Sequence, residues 1–62
     1  MDARSEVEAI VDVLADPTRR GILLAFHADP RPKTAGEVAA EAGVHRTVAF
    51  AHLERLVRAG LL

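Results

Sequence analysis

A chain of 62 residues has surface enough to bury one core, not two, so a single small domain is expected. Half of the residues are apolar, but 12 of them are alanine and only 19 are Val, Ile, Leu, Met or Phe, which calls for a thin core between closely packed helices. The absence of cysteine excludes disulfides, thiolate catalysis, zinc fingers and iron–sulfur ligation, and a net charge of −1 is no overall attraction to a polyanion. The charge is unevenly spread, however. Residues 1–16 carry one arginine against five acids, whereas residues 17–33 have a net of +3 and residues 44–62 a net of +2. A helix with its own charge sign can face a polyanion in a domain that is neutral as a whole. Asp2, Glu6 and Glu8 stand where a secretory signal requires basic residues, and no run approaches the ~20 apolar residues of a membrane span. The expectation is a soluble, unprocessed, cytoplasmic protein.

The elements read in chain order as four helices. Ser5-Glu6-Val7-Glu8 reads as a capping box, followed by a stripe of Val7, Ile10, Val11 and Leu14. Asp16-Pro17 combines a cap with a first-turn proline and opens a second helix, with Ile22, Leu23 and Phe26 on one face. Asp16 and Arg20 have the spacing of an i,i+4 ion pair on it, which assigns Arg19 and Arg20 to the fold. The segment Asp29-Pro30-Arg31-Pro32-Lys33 cannot remain helical and forms a basic loop. Thr34-Ala35-Gly36-Glu37 is a second capping box, opening a short helix that carries Val38, Ala39 and Ala42 and ends at Gly43. The fourth helix runs from about Arg46 to Ala59 with a stripe of Ala49, Leu53, Leu56 and Val57, and Gly60 ends it. Leu61-Leu62 could start a strand.

Helices three and four are joined by only Gly43-Val44-His45, so they must cross steeply. Ala39 keeps the crossing close, Gly43 supplies the positive φ of a sharp turn, and Val44, Ala49 and Leu53 fill the corner. This is the arrangement of a helix-turn-helix, in which the second helix lies in the major groove and reads bases through its N-terminal half.

The runs Leu14-Ala15-Asp16-Pro17-Thr18-Arg19-Arg20-Gly21-Ile22-Leu23, Thr34 to Ala40 and His52-Leu53-Glu54-Arg55-Leu56-Val57-Arg58-Ala59-Gly60-Leu61-Leu62 resemble the N-terminal part of ArsR-type winged helix-turn-helix transcription regulators. The resemblance implies an all-α helix-turn-helix core of winged-helix type over residues 1–62, binding double-stranded DNA and regulating transcription. It further implies a homodimer that uses its first helix, within a longer regulator whose β-hairpin wing and C-terminal dimerisation helix would follow Leu62. The Cys-x-Cys of the family's metal sensors has no counterpart in Glu37-Val38-Ala39-Ala40-Glu41, so neither metal nor cofactor is expected. His45 and His52 stand about 10 Å apart along a helix, too far to share a metal.

The base-contacting residues are expected to be Arg46, paired with guanine O6 and N7, Thr47, and Phe50 or Ala51 against a thymine methyl. Phosphate contacts are expected from Lys33, Thr34 and Arg31 around the start of helix three, from Arg55 and Arg58, and from His45, which stands where the family commonly has a serine cap. His52 is either structural or phosphate-contacting. An enzyme lacks its parts: there is no Gly-rich phosphate loop, no HExxH, and Ser5 is the lone serine. The competing reading is a protein-interaction module of the same fold that binds no DNA, favoured by Phe50 and Ala51 in the recognition helix.

Overall fold

Proline at position 17 decides where the first helix stops. Its ring disfavours helical geometry at the residue before it, and Asp16 is accordingly extended, at φ −84° and ψ 119°. Asp16 Oδ1 accepts from the Arg19 amide at 3.0 Å, so one residue ends the first helix and caps the second. That bond to the Arg19 amide holds the Asp16 carboxyl below the usual carboxylate range. In the computed structural model, which describes residues 3–62, the helices are α1 (Ala3–Ala15), α2 (Pro17–Ala28), α3 (Ala35–Ala42) and α4 (Arg46–Arg58). The fold is all-α. None of the four is long and apolar enough to cross a membrane.

The second capping box forms as expected. Thr34 Oγ1 accepts from the Glu37 amide at 3.1 Å, while the Thr34 amide and hydroxyl both donate to Glu37 Oε1. The first box does not. The backbone is already helical at Ala3, which places Ser5 inside α1, and Glu8 accepts from Arg4 Nε at 3.2 Å. Ala3 and Arg4 are good helix formers, and the i,i+4 pair of Arg4 with Glu8 draws them into the first turn.

Helices α3 and α4 end by the same device. Gly43 takes φ 70°, and the Val44 amide reaches back to the Ala39 carbonyl at 3.0 Å. Gly60 takes φ 74°, its amide bonds the Val57 carbonyl, and the Leu61 amide bonds the Leu56 carbonyl at 2.9 Å. In both motifs the apolar residue after the glycine, Val44 or Leu61, is half-buried and packs against the core. The expected strand start at Leu61-Leu62 is thereby replaced, because both amides turn back to the Leu56 carbonyl.

The buried core is Val13, Ile22, Val38, Ala39, Ala49 and Leu56, enclosed by half-buried neighbours that include Leu23, Phe26 and Leu53. Leu56 and Ala49 are fully enclosed. Ala39 on α3 and Ala49 on α4 have only a methyl group each, which lets the two helices approach closely. Four residues of the expected apolar stripes are exposed instead. Val57 is 59% exposed, because Ala49 and Leu56 define the inner face of α4 and Val57 lies off it, on the flank. On α1 the single buried residue is Val13, while Val7, Ile10 and Val11 face outward, because α1 rests mainly on α2 and nothing among the described residues covers its other side.

Arg19 holds that junction. It is only 6% exposed, and its guanidinium donates from Nε to the Val13 carbonyl at 2.8 Å and from Nη2 to the Asp12 carbonyl at 3.1 Å. Arg20 Nη1 donates to the Leu14 carbonyl at 2.9 Å. These are carbonyls that the end of α1 leaves without helical partners. The expected side-chain pair of Asp16 with Arg20 gives way to this arrangement, as each guanidinium turns back onto α1. Both arginines still serve the fold.

Candidate nucleic-acid interface

The turn between α3 and α4 places the start of α4 at the surface. Arg46, Thr47, Phe50 and Ala51 are all exposed there, on the side opposite the buried Ala49 and Leu56. Arg46 and Arg58 form no ion pair among the described residues, so their guanidinium groups face solvent without a carboxylate. Arg55 is also exposed, with Nη1 4.0 Å from Asp12 Oδ2 across the gap to α1. At 100° per residue Glu54 falls on the same ridge as Thr47 and Ala51, one turn further along.

His45 is the N-cap of α4. Its Nδ1 accepts from the Thr47 amide at 3.1 Å, which does for this helix what a serine hydroxyl does elsewhere. An Nδ1 that accepts must carry no proton, so the proton of the neutral ring is on Nε2, and the exposed side chain offers a donor beside the first turn. His52 points the other way. It is half-buried, and its Nδ1 lies 3.5 Å from Arg19 Nη1, which connects the guanidinium that caps α1 with the middle of α4. Sequence reasoning missed this junction. The signal available was the set of carbonyls at the end of α1, with two arginines six residues downstream of Val13 and Leu14.

The basic loop between α2 and α3 is more nearly neutral than its composition suggests. Arg31 forms a fork with Asp29, at 2.9 Å from Nε to Oδ1 and 2.6 Å from Nη2 to Oδ2, and this pairing holds the Asp29 carboxyl below its usual range. The Lys33 ammonium is 3.2 Å from Glu41 Oε2 and 5.1 Å from the centre of the Phe26 ring, and its side chain is 8% exposed. Thr34 is committed to its capping box. A phosphate at this loop would have to compete with Asp29 and Glu41, whereas one along α4 meets unpaired guanidinium groups.

Val48 is a surface residue that the sequence reading left out, 44% exposed on the flank of α4 opposite Phe50. It borders a hollow with Asp16, Arg19, Thr47, Ala51 and His52, while Phe50 borders another with Ala35, Arg46 and Thr47. Thr47 lies on the ridge between the two.

The short Gly43-Val44-His45 turn between α3 and α4, the left-handed Gly43 and the exposed first turn of α4 together form a helix-turn-helix. Residues 14–62 match the helix-turn-helix domain family. The chain belongs to that family. No curated protein and no solved structure matches it. Domains of this family are typically non-enzymatic, and DNA binding is the function that the helix-turn-helix suggests.

Proposed function

We propose that this chain is the DNA-reading domain of an ArsR-type winged helix-turn-helix regulator, which binds double-stranded DNA sequence-specifically in the cytoplasm and controls transcription. The observation that carries the reading is the exposed pair Arg46 and Thr47 in the first turn of α4, directly after a tight turn from α3. In the proposed complex α4 lies in the major groove, with Arg46, Thr47, Phe50 and Ala51 toward base edges. His45 and Arg55 approach the phosphates, and the Lys33 ammonium joins them by exchanging Glu41 for a phosphate where the backbone passes the start of α3. Incubating the protein with random-sequence duplex at rising salt tests this. A common motif should be enriched, and its affinity should fall linearly with the logarithm of salt concentration. If no duplex is retained even at low salt, the reading is wrong.

The exposed Val7, Ile10 and Val11 of α1 support a homodimer in which a second copy covers this face. Dilution should then lower the melting temperature by mass action. A melting temperature independent of concentration, with a monomeric mass in solution, would overturn the dimer. The exposed Phe50 favours one alternative, a protein-interaction module of the same fold, for which Phe50→Ala would abolish partner capture while Arg46→Ala would not.

A further inference from the structure

The outer face of α4 is short of polar atoms where a base-reading helix needs them most. Across its first two turns run Val48 on one flank, Thr47 and Ala51 along the ridge and Phe50 on the other flank, with Val48 44% and Phe50 55% exposed. Arg46 is the single cation in that half of the helix, and Arg55 and Arg58 follow only in its last turn. A helix held in a groove by guanidinium groups at its two ends therefore presses an apolar strip against base edges.

Most base edges are poor partners for such a strip. Covering their amino groups, carbonyls and ring nitrogens with Val and Phe side chains would remove water and put no hydrogen bond in its place. The 5-methyl group of a pyrimidine is the apolar feature that the major groove offers. Building on the DNA-binding reading above, we infer that Val48, Ala51 and Phe50 form a methyl-reading strip that selects 5-methylpyrimidines, thymine or 5-methylcytosine, in the base pairs next to the one met by Arg46. Val48 and Phe50 lie on opposite flanks of the ridge, so the methyl groups they meet belong to different base pairs.

The probes are random-sequence duplex pools amplified with thymidine, with deoxyuridine in its place, or with 5-methylcytosine in place of cytosine. The duplex selected from the ordinary pool is expected to lose affinity on the order of fourfold for each contacted methyl group when it is rebuilt with deoxyuridine. A gain for the methylated-cytosine pool identifies modified cytosine as the second source of the same methyl group. The exposed-site variant Val48→Ser/Phe50→Ser, checked for unchanged helicity, should bind the thymidine and deoxyuridine versions alike while keeping its salt dependence. Equal affinity of the unaltered protein for methylated and unmethylated duplexes overturns the inference and leaves DNA binding intact. Full methyl discrimination in the double variant also overturns it. Failure to retain any duplex overturns both this inference and the reading on which it rests.

Discussion

Arg19→Ala is expected to destabilise the domain by about 2–4 kcal/mol, since it removes two charge-assisted hydrogen bonds and leaves the Val13 and Asp12 carbonyls unpartnered. The Nε bond to the Val13 carbonyl is buried, and the Nη2 bond to the Asp12 carbonyl is part-buried. For a domain of this length, with a total stability of roughly 3–9 kcal/mol at typical values per residue, such a loss could unfold it. Urea denaturation followed by circular dichroism measures the effect, and α1 should melt first because its buried contact is Val13 alone. Arg19→Lys should keep only part of the stability, because an ammonium cannot reproduce the planar fork that serves two carbonyls. Arg20→Ala removes a single exposed bond to the Leu14 carbonyl and should cost less than about 1 kcal/mol. Equal losses from the Arg19 and Arg20 variants would refute the assignment of the junction to Arg19.

The second large effect is on binding. Arg46→Ala should cost roughly 1–3 kcal/mol on the preferred duplex, a loss of about fivefold to 150-fold, and should relax the preference at one base position. Arg46 is exposed and makes no ion pair among the described residues, so its truncation should leave stability almost unchanged. Arg55→Ala is the informative contrast. A phosphate contact carries no sequence information, so this variant should weaken all duplexes alike and reduce the salt slope by about one counterion. Competition binding against the selected and a scrambled duplex, repeated at several salt concentrations, separates the two. A uniform loss from Arg46→Ala would remove it from base reading.

Where a feature depends on residues within a few positions of one another, it was legible in the chain. Asp16 before Pro17, Thr34 three residues before Glu37, and Gly43 after a short alanine-rich helix each act through backbone groups no more than about one helical turn away. They set the boundaries of α2 and α3, and the three-residue turn then forced α4 to cross α3 at the surface. The exposed positions of Arg46, Thr47, Phe50 and Ala51 followed from the same periodicity. Local signals failed where two compete over the same residues, as with Ser5, where the helix began early enough to include Ala3 and Arg4.

Tertiary structure alone decided which apolar face is covered and where each long cation goes. The stripe on α1 and the stripe on α4 look alike as patterns, yet Leu56 is fully enclosed while Val7 and Val11 are exposed, because burial depends on a neighbouring helix that no local pattern contains. The cations divide in the same way. Arginine and lysine side chains span several ångströms and can turn toward a carboxylate, a carbonyl or solvent. Arg19 and Lys33 were drawn inward by the carbonyls of α1 and by Glu41, and Arg46 was left outside. The helical pattern, the caps at Asp16 and Thr34 and the turn between α3 and α4 were legible in the chain, because these depend on short-range hydrogen bonding. Only the packed structure separated cations that hold the domain together from those free to meet a polyanion, because that depends on which partners the fold brings within reach.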